Sequence, residues 1–153
     1  GNFAESVAMI TAKLGDKENA MPATWCIPVS FNPPLVAVNI AAERFTHDMV
    51  KESKKFGVCL LAEDQVELSR KLGSSSGRSK DKLKGLDIFY GDLDIPLLEG
   101  CTACMECSVT DEVKEGDHTV FTGEVRNLYS TDKKPLLLFR GNYLKTGDSL
   151  GSY

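Results

Sequence analysis

The apolar residues of this chain fall in short, β-branched runs separated by polar, glycine-bearing turns, a pattern of many strands and few helices. Val7 to Ala12 gives way to the charged stretch Leu14 to Asn19, which predicts a strand followed by a turn. From Ala20 to Ser30, Met21, Trp25, Ile27 and Val29 alternate in part. Pro22 and Pro28 lack an N–H for a ladder, so this segment is expected as one edge or bulged strand. After the Asn32-Pro33-Pro34 break, the continuous run Leu35 to Ile40 suits a strand covered on both faces at the centre of a sheet. Thr46 to Lys55 carries Met49 and Val50 near helical spacing, with Thr46 as N-cap and a basic last turn, and predicts a short helix. Gly57 to Ala62 reads as another strand, and Asp64, three residues ahead of Glu67, as a capping arrangement for a helix ending near Leu72. Ile88 to Tyr90, Cys101 to Val113, Thr119 to Leu128 and Leu136 to Phe139 complete the strands, with Lys114 to Asp117 as a turn. The fold expected is mainly β with short helices, a barrel or sandwich without Rossmann alternation.

With 153 residues, 42% of them apolar, the chain suits one domain spanning 1–153. A fold of this size buries roughly 68–70% of the surface its unfolded chain exposes, so the core needs no staples. A net charge of −4 argues against nucleic acid and anionic membrane surfaces as partners. No apolar run approaches the roughly 20 residues of a membrane span, so none is expected. Gly1 to Ile10 lacks the basic and apolar regions of a secretory leader. Five cysteines, an odd set within apolar segments, suit reduced thiols and a cytoplasmic location.

The strongest chemical signal is the loop Gly73 to Lys82, Gly-Ser-Ser-Ser-Gly-Arg-Ser-Lys-Asp-Lys. Small residues let backbone N–H groups and hydroxyls converge, and Arg78 and Lys82 offer charge to phosphate oxygens. A solvated surface loop is the alternative on composition alone. Arg44 and Thr46 stand where a strand hands over to a helix, able to hold an anion together or merely to cap and solvate. Cys101, Cys104 and Cys107 attract a metal reading. In a strand, however, Cys101 and Cys107 would share a face and Cys104 oppose them, no fourth ligand is near, and we read them as packing, with no metal. His47 and His118 lack the companions of a hydrolase, and neither a Walker motif nor Gly-x-Gly-x-x-Gly occurs. A cofactor would therefore sit on a β scaffold.

Several segments together resemble the flavin reductase-like family. Asn19-Ala20-Met21-Pro22-Ala23-Thr24-Trp25 resembles its Asn-x-Met-x-Ala-x-Trp segment, and Ser30-Phe31-Asn32-Pro33-Pro34 its entry to a hydrophobic strand. Arg44-Phe45-Thr46-His47, Lys51 to Val58, and the Gly-x-x-Ser-Gly-Arg-x-x-Asp-Lys pattern from Gly73 to Lys82 follow in the same order. The resemblance implies an FMN-binding split β-barrel. It places Ala23, Thr24 and Trp25 along the isoalloxazine, Asn39, Ile40 and Ala41 on its other side, and Arg44, Thr46, Ser76, Gly77, Arg78 and Lys82 on the ribityl phosphate. His118 would face the flavin and nicotinamide as the catalytic-site histidine. Leu83 and Pro22 depart from the family pattern. The implied activity is an NAD(P)H-dependent flavin or ferric reductase. A flavoredoxin-like carrier served by a redox partner protein, and a non-catalytic FMN-binding protein, are the alternatives. The implied assembly is a homodimer with FMN near the subunit interface.

Overall fold

The computed structural model describes residues 1–153. Its strands are β1 (Glu5–Ser6), β2 (Ala8–Leu14), β3 (Lys17–Ala23), β4 (Cys26–Phe31), β5 (Pro34–Ala41), β6 (Lys55–Leu60), β7 (Ile88–Tyr90), β8 (Pro96–Leu98), β9 (Ala103–Glu115), β10 (His118–Ser130), β11 (Leu136–Phe139) and β12 (Asn142–Lys145); the helices are α1 (Phe45–Ser53) and α2 (Val66–Gly73). Seven strands form one antiparallel sheet in the order β3-β2-β6-β9-β10-β5-β4, flanked by the small sheets β1-β11-β12 and β7-β8. This mostly β architecture with two short helices is the split barrel of FMN-binding flavin reductases.

The central strands β2, β5 and β6 are covered on both sides, which explains their apolar runs. Ile10, Val38, Ile40, Phe56, Val58 and Phe121 turn inward and meet Met49 and Val50 of α1. Met9, Cys59, Leu61, Leu97 and Leu98 turn outward and pack with Leu72 of α2. Neighbours in sequence such as Met9 and Ile10 thus serve opposite layers, as a period of two requires. Each fully buried side chain of this size contributes roughly 1.5–3 kcal/mol.

The expected strand Ala20 to Ser30 is two strands. Chain direction changes at Thr24, and β3 and β4 run to opposite edges of the sheet, so each proline does occupy an edge strand. Asn19 lies within β3 rather than in a turn, because Gly15 at φ 62° closes a tight hairpin in which Leu14 pairs with Lys17. Neither expected cap forms. The α1 N-cap is Arg44 in extended conformation, with Thr46 inside the first turn, and the α2 N-cap is Gln65, whose side-chain oxygen accepts the Ala62 N–H at 3.0 Å. Cys101 precedes β9, so it does not follow the strand alternation expected of it.

Candidate functional site

The site occupies the split in the barrel, where β3 faces β5 without a ladder between them. A cleft of about 560 Å³ lies there, with Ala23, Thr24 and Trp25 on one wall, Asn39 and Ala41 on the other, and His118 at the end. A second cleft of about 480 Å³ continues from it through the shared residues Met21, Pro22, Glu43 and Arg44, and ends at Thr46, Ser76, Gly77 and Lys82. One trough therefore joins an aromatic end to a cationic, hydroxyl-rich end.

Local sequence explains each position. The two-residue turn Gly116-Asp117, with Gly116 at φ 62°, makes His118 the first residue of β10, opposite Ala41 of β5. The His118 ring stands 5.0 Å from the Trp25 ring, and its Nδ1 shares a 2.7 Å hydrogen bond with Asp117, whose carboxyl it holds below the usual range. Along β5, Asn39 and Ala41 face the trough while Ile40 between them is fully buried in the barrel interior, so the Ile40 side chain does not reach the trough.

At the cationic end, Lys82 is 7% exposed and no carboxylate pairs with it. Burial, then the charges of Arg44 and Lys80, push its pKa below 10.5. A lysine packed this closely ordinarily has an anionic partner. Asn19, buried on β3, donates from Nδ2 to Thr46 Oγ1 at 2.8 Å, while its Oδ1 is without a partner. A Cβ on Gly77 would stand 2.1 Å from that oxygen, so only glycine fits beneath the serine loop. Two uncompensated cations, several hydroxyls and a close-fitting glycine suit an anion of phosphate size.

Arg78 departs from the expected cluster. Its guanidinium donates to Asp48 at 3.0 Å and lies over the Phe45 ring at 5.1 Å, outside both parts of the trough. Asp48, held below the usual carboxylate range by Arg78 and then by His47, also meets His47 Nδ1 at 3.2 Å, and His47 Nε2 reaches Thr119 Oγ1 at 2.9 Å. This relay, buried only at its His47–Thr119 end, was absent from the sequence reading, because the residues it joins are up to 72 positions apart.

A split barrel with a trough pairing an aromatic wall to an anion cradle defines the class of flavin-binding oxidoreductases. The chain belongs to the flavin reductase like domain family, whose model matches residues 1–147. An NADH-dependent flavin reductase from Rhodococcus sp is 30% identical over 146 residues, 94% of this chain and 80% of that protein. The reductase subunit of a flavin-dependent monooxygenase from Mycobacterium tuberculosis is also 30% identical, over 94% of this chain and 76% of that one. An uncharacterised Aeropyrum pernix protein is 38% identical over 81% of this chain, which spans about half of it, 49%. Among solved structures, flavoredoxin from Methanosarcina acetivorans superposes with a TM-score of 0.92 at 27% identity, covering 99% of this chain and 91% of that one.

Proposed function

We propose that this chain forms one FMN-binding domain and acts as an NAD(P)H-dependent flavin or ferric reductase in the cytoplasm. The observation that carries the reading is the buried, unpaired Lys82 beside Arg44 at the end of a trough whose other end is aromatic. Bound FMN supplies a group that accepts hydride from nicotinamide and passes electrons on. The residues of this chain bind and orient. Arg44, Lys82, Thr46 and Ser76 hold the phosphate, Ala23, Thr24 and Trp25 support one side of the ring system, and Asn39 and Ala41 support the other. His118, fixed by Asp117 and backed by Trp25, positions the nicotinamide. No general acid or base is required of the protein, because orientation on a dry surface lowers the barrier to hydride transfer.

A second reading, an electron carrier served by a redox partner, is favoured by the likeness to flavoredoxin. Anaerobic mixing of the flavin-loaded protein with NADH and then NADPH separates the two. Rapid loss of absorbance near about 450 nm with either nucleotide supports the reductase. Bleaching only by a reduced partner protein supports the carrier, and failure to retain any flavin refutes both.

A further inference from the structure

Two polar side chains meet beneath the cationic end of the trough, Asn19 from β3 and Thr46 from the first turn of α1. Both line the second cleft, and both are buried. Strand pairing holds Asn19 opposite Ala12 of β2, and the helix holds Thr46, so neither backbone can turn to suit the other. They are joined by the hydrogen bond that Asn19 Nδ2 donates to Thr46 Oγ1 at 2.8 Å.

A hydroxyl carries one proton and can accept as well as donate, so its partner decides which way it faces. Here the partner is a donor. Thr46 Oγ1 accepts from the amide, and its own proton is left to turn elsewhere. No group of the chain takes that proton, including the carbonyls of Ala42 and Glu43, to which a helical threonine in this place can bond back. Gly77 fixes the amide the right way round. A Cβ on that glycine would stand 2.1 Å from Asn19 Oδ1 but 3.0 Å from Nδ2, so the hydrogen glycine carries in that direction points at the oxygen. A Cα–H hydrogen suits an oxygen and repels an NH2 group, which keeps Nδ2 on the Thr46 side. Oδ1 has no stronger donor, so one buried acceptor goes unsatisfied while the Thr46 hydroxyl is kept a donor.

We propose that Asn19 is a positioning residue for phosphate recognition: it holds the Thr46 hydroxyl as a donor toward the phosphate and so helps set a preference for FMN over riboflavin. It acts through Thr46 and does not itself touch the ligand, since Oδ1 is sealed beneath Gly77 and Nδ2 is turned to Thr46. A phosphate dianion offers only acceptors, so each hydroxyl in its cradle must donate. A Thr46 hydroxyl free to rotate would spend part of its time with lone pairs toward the phosphate, where they repel it. This role rests on the placement of the phosphate at this end of the trough.

A double-mutant cycle tests it, with the unaltered chain, Asn19→Ala, Thr46→Val and the double variant each titrated with FMN and with riboflavin. Thr46→Val should bind FMN about tenfold more weakly, the low end for a hydrogen bond to a charged group, and hold its riboflavin affinity. Asn19→Ala should weaken FMN about fivefold while the Thr46 hydroxyl is present and hardly at all in Thr46→Val. Thr46→Ser keeps the hydroxyl and should keep the dependence on Asn19. Asn19→Asp, of the same size, has no N–H to offer. Measured with and without the hydroxyl, the repulsion of its added charge cancels, and its cost should be larger with the hydroxyl present. This variant decides the matter should Asn19→Ala not fold. With Thr46→Val behaving as expected, three results would overturn the role of Asn19 and leave the phosphate in place: no loss from replacing Asn19, the same loss with and without the hydroxyl, or equal losses for FMN and riboflavin. A Thr46→Val protein with both flavin affinities unchanged would instead remove the phosphate from Thr46, and the role of Asn19 with it.

Discussion

A lysine residue 7% exposed, with an arginine for a neighbour and no carboxylate partner, is unfavourable in its charged form until an anion completes it, so Lys82 and Arg44 carry the electrostatics of the site. Arg44→Ala should weaken FMN binding by about 1.5–3 kcal/mol, the range for a hydrogen bond to a charged group, and leave riboflavin affinity nearly unchanged. Arg78→Ala should cost less than about 1 kcal/mol, since its guanidinium is held by Asp48 in an exposed pair. Fluorescence titration with both flavins checks the pair of variants; equal losses for FMN and riboflavin would remove the phosphate from this end of the trough. Lys82 also sets a pH dependence. Its folded pKa lies below its ordinary 10.5, so the unfolded chain binds that proton more tightly, and in the empty protein this group's contribution to stability rises with pH up to 10.5. FMN affinity should run the opposite way, falling as pH rises through the depressed pKa because neutral Lys82 loses its charge-assisted bond. Lys82→Arg should hold its affinity across that limb, and a flat profile for the unaltered chain would show that Lys82 does not meet the phosphate.

The elements position these residues through close contacts that leave little room for change. Gly73 at the end of α2 lies over Pro22 of β3, where an added Cβ would come within 3.1 Å of the ring, and Gly77 lies over Asn19 of the same strand. Gly77→Ala would force Asn19 aside and break its bond to Thr46, so a loss of about 1–3 kcal/mol in stability, with a larger proportional loss of FMN than of riboflavin, is expected from denaturant melts and flavin titrations. An unchanged midpoint would mean that the serine loop simply lifts away. The two prolines and the apolar runs made the edge and covered strands legible. The division at Thr24 was not, because a strand that ends and a strand that bulges have the same local composition. The three-residue β8 and four-residue β12 are set by tertiary pairing rather than by pattern. Caps were misread for a related reason: Thr46 hydroxyl chemistry is spent on Asn19, 27 positions away. The trough residues were legible through the family resemblance. The detour of Arg78 to Asp48 was not, since sequence spacing carries no information about which of two anions a flexible cation meets.

At the scale of the whole molecule, the edge strand β4 and Trp25 just before it expose large apolar side chains, Trp25 at 53%, Ile27 at 59%, Val29 at 48% and Phe31 at 99%, and the register shift between Pro28 and Ser30 sets Ile27 and Phe31 on opposite faces. Edge strands are ordinarily protected by charge, proline, a bulge or cover, and this one has Pro28 and a register shift beside it but neither charge nor cover within its own chain. Trp25 belongs both to this apolar edge and to the trough, so a surface covering β4 would also close over the aromatic end of the site. A second copy of the chain is the occupant we expect, as a homodimer with flavin near the interface. Obligate interfaces of this kind commonly bury more than about 2,000 Å² in total, enough to persist at low micromolar concentration. Ile27→Asp and Phe31→Asp each place charge at a position already exposed along this edge, so each subunit should still fold while the dimer dissociates. Sedimentation detected at the flavin band reads both consequences together. The unaltered protein should carry flavin at about twice 16.7 kDa, and the charged variants should sediment near 16.7 kDa with flavin largely lost. Flavin travelling with a species of 16.7 kDa in the unaltered protein would show that one chain holds the cofactor unaided and that the apolar edge serves another partner.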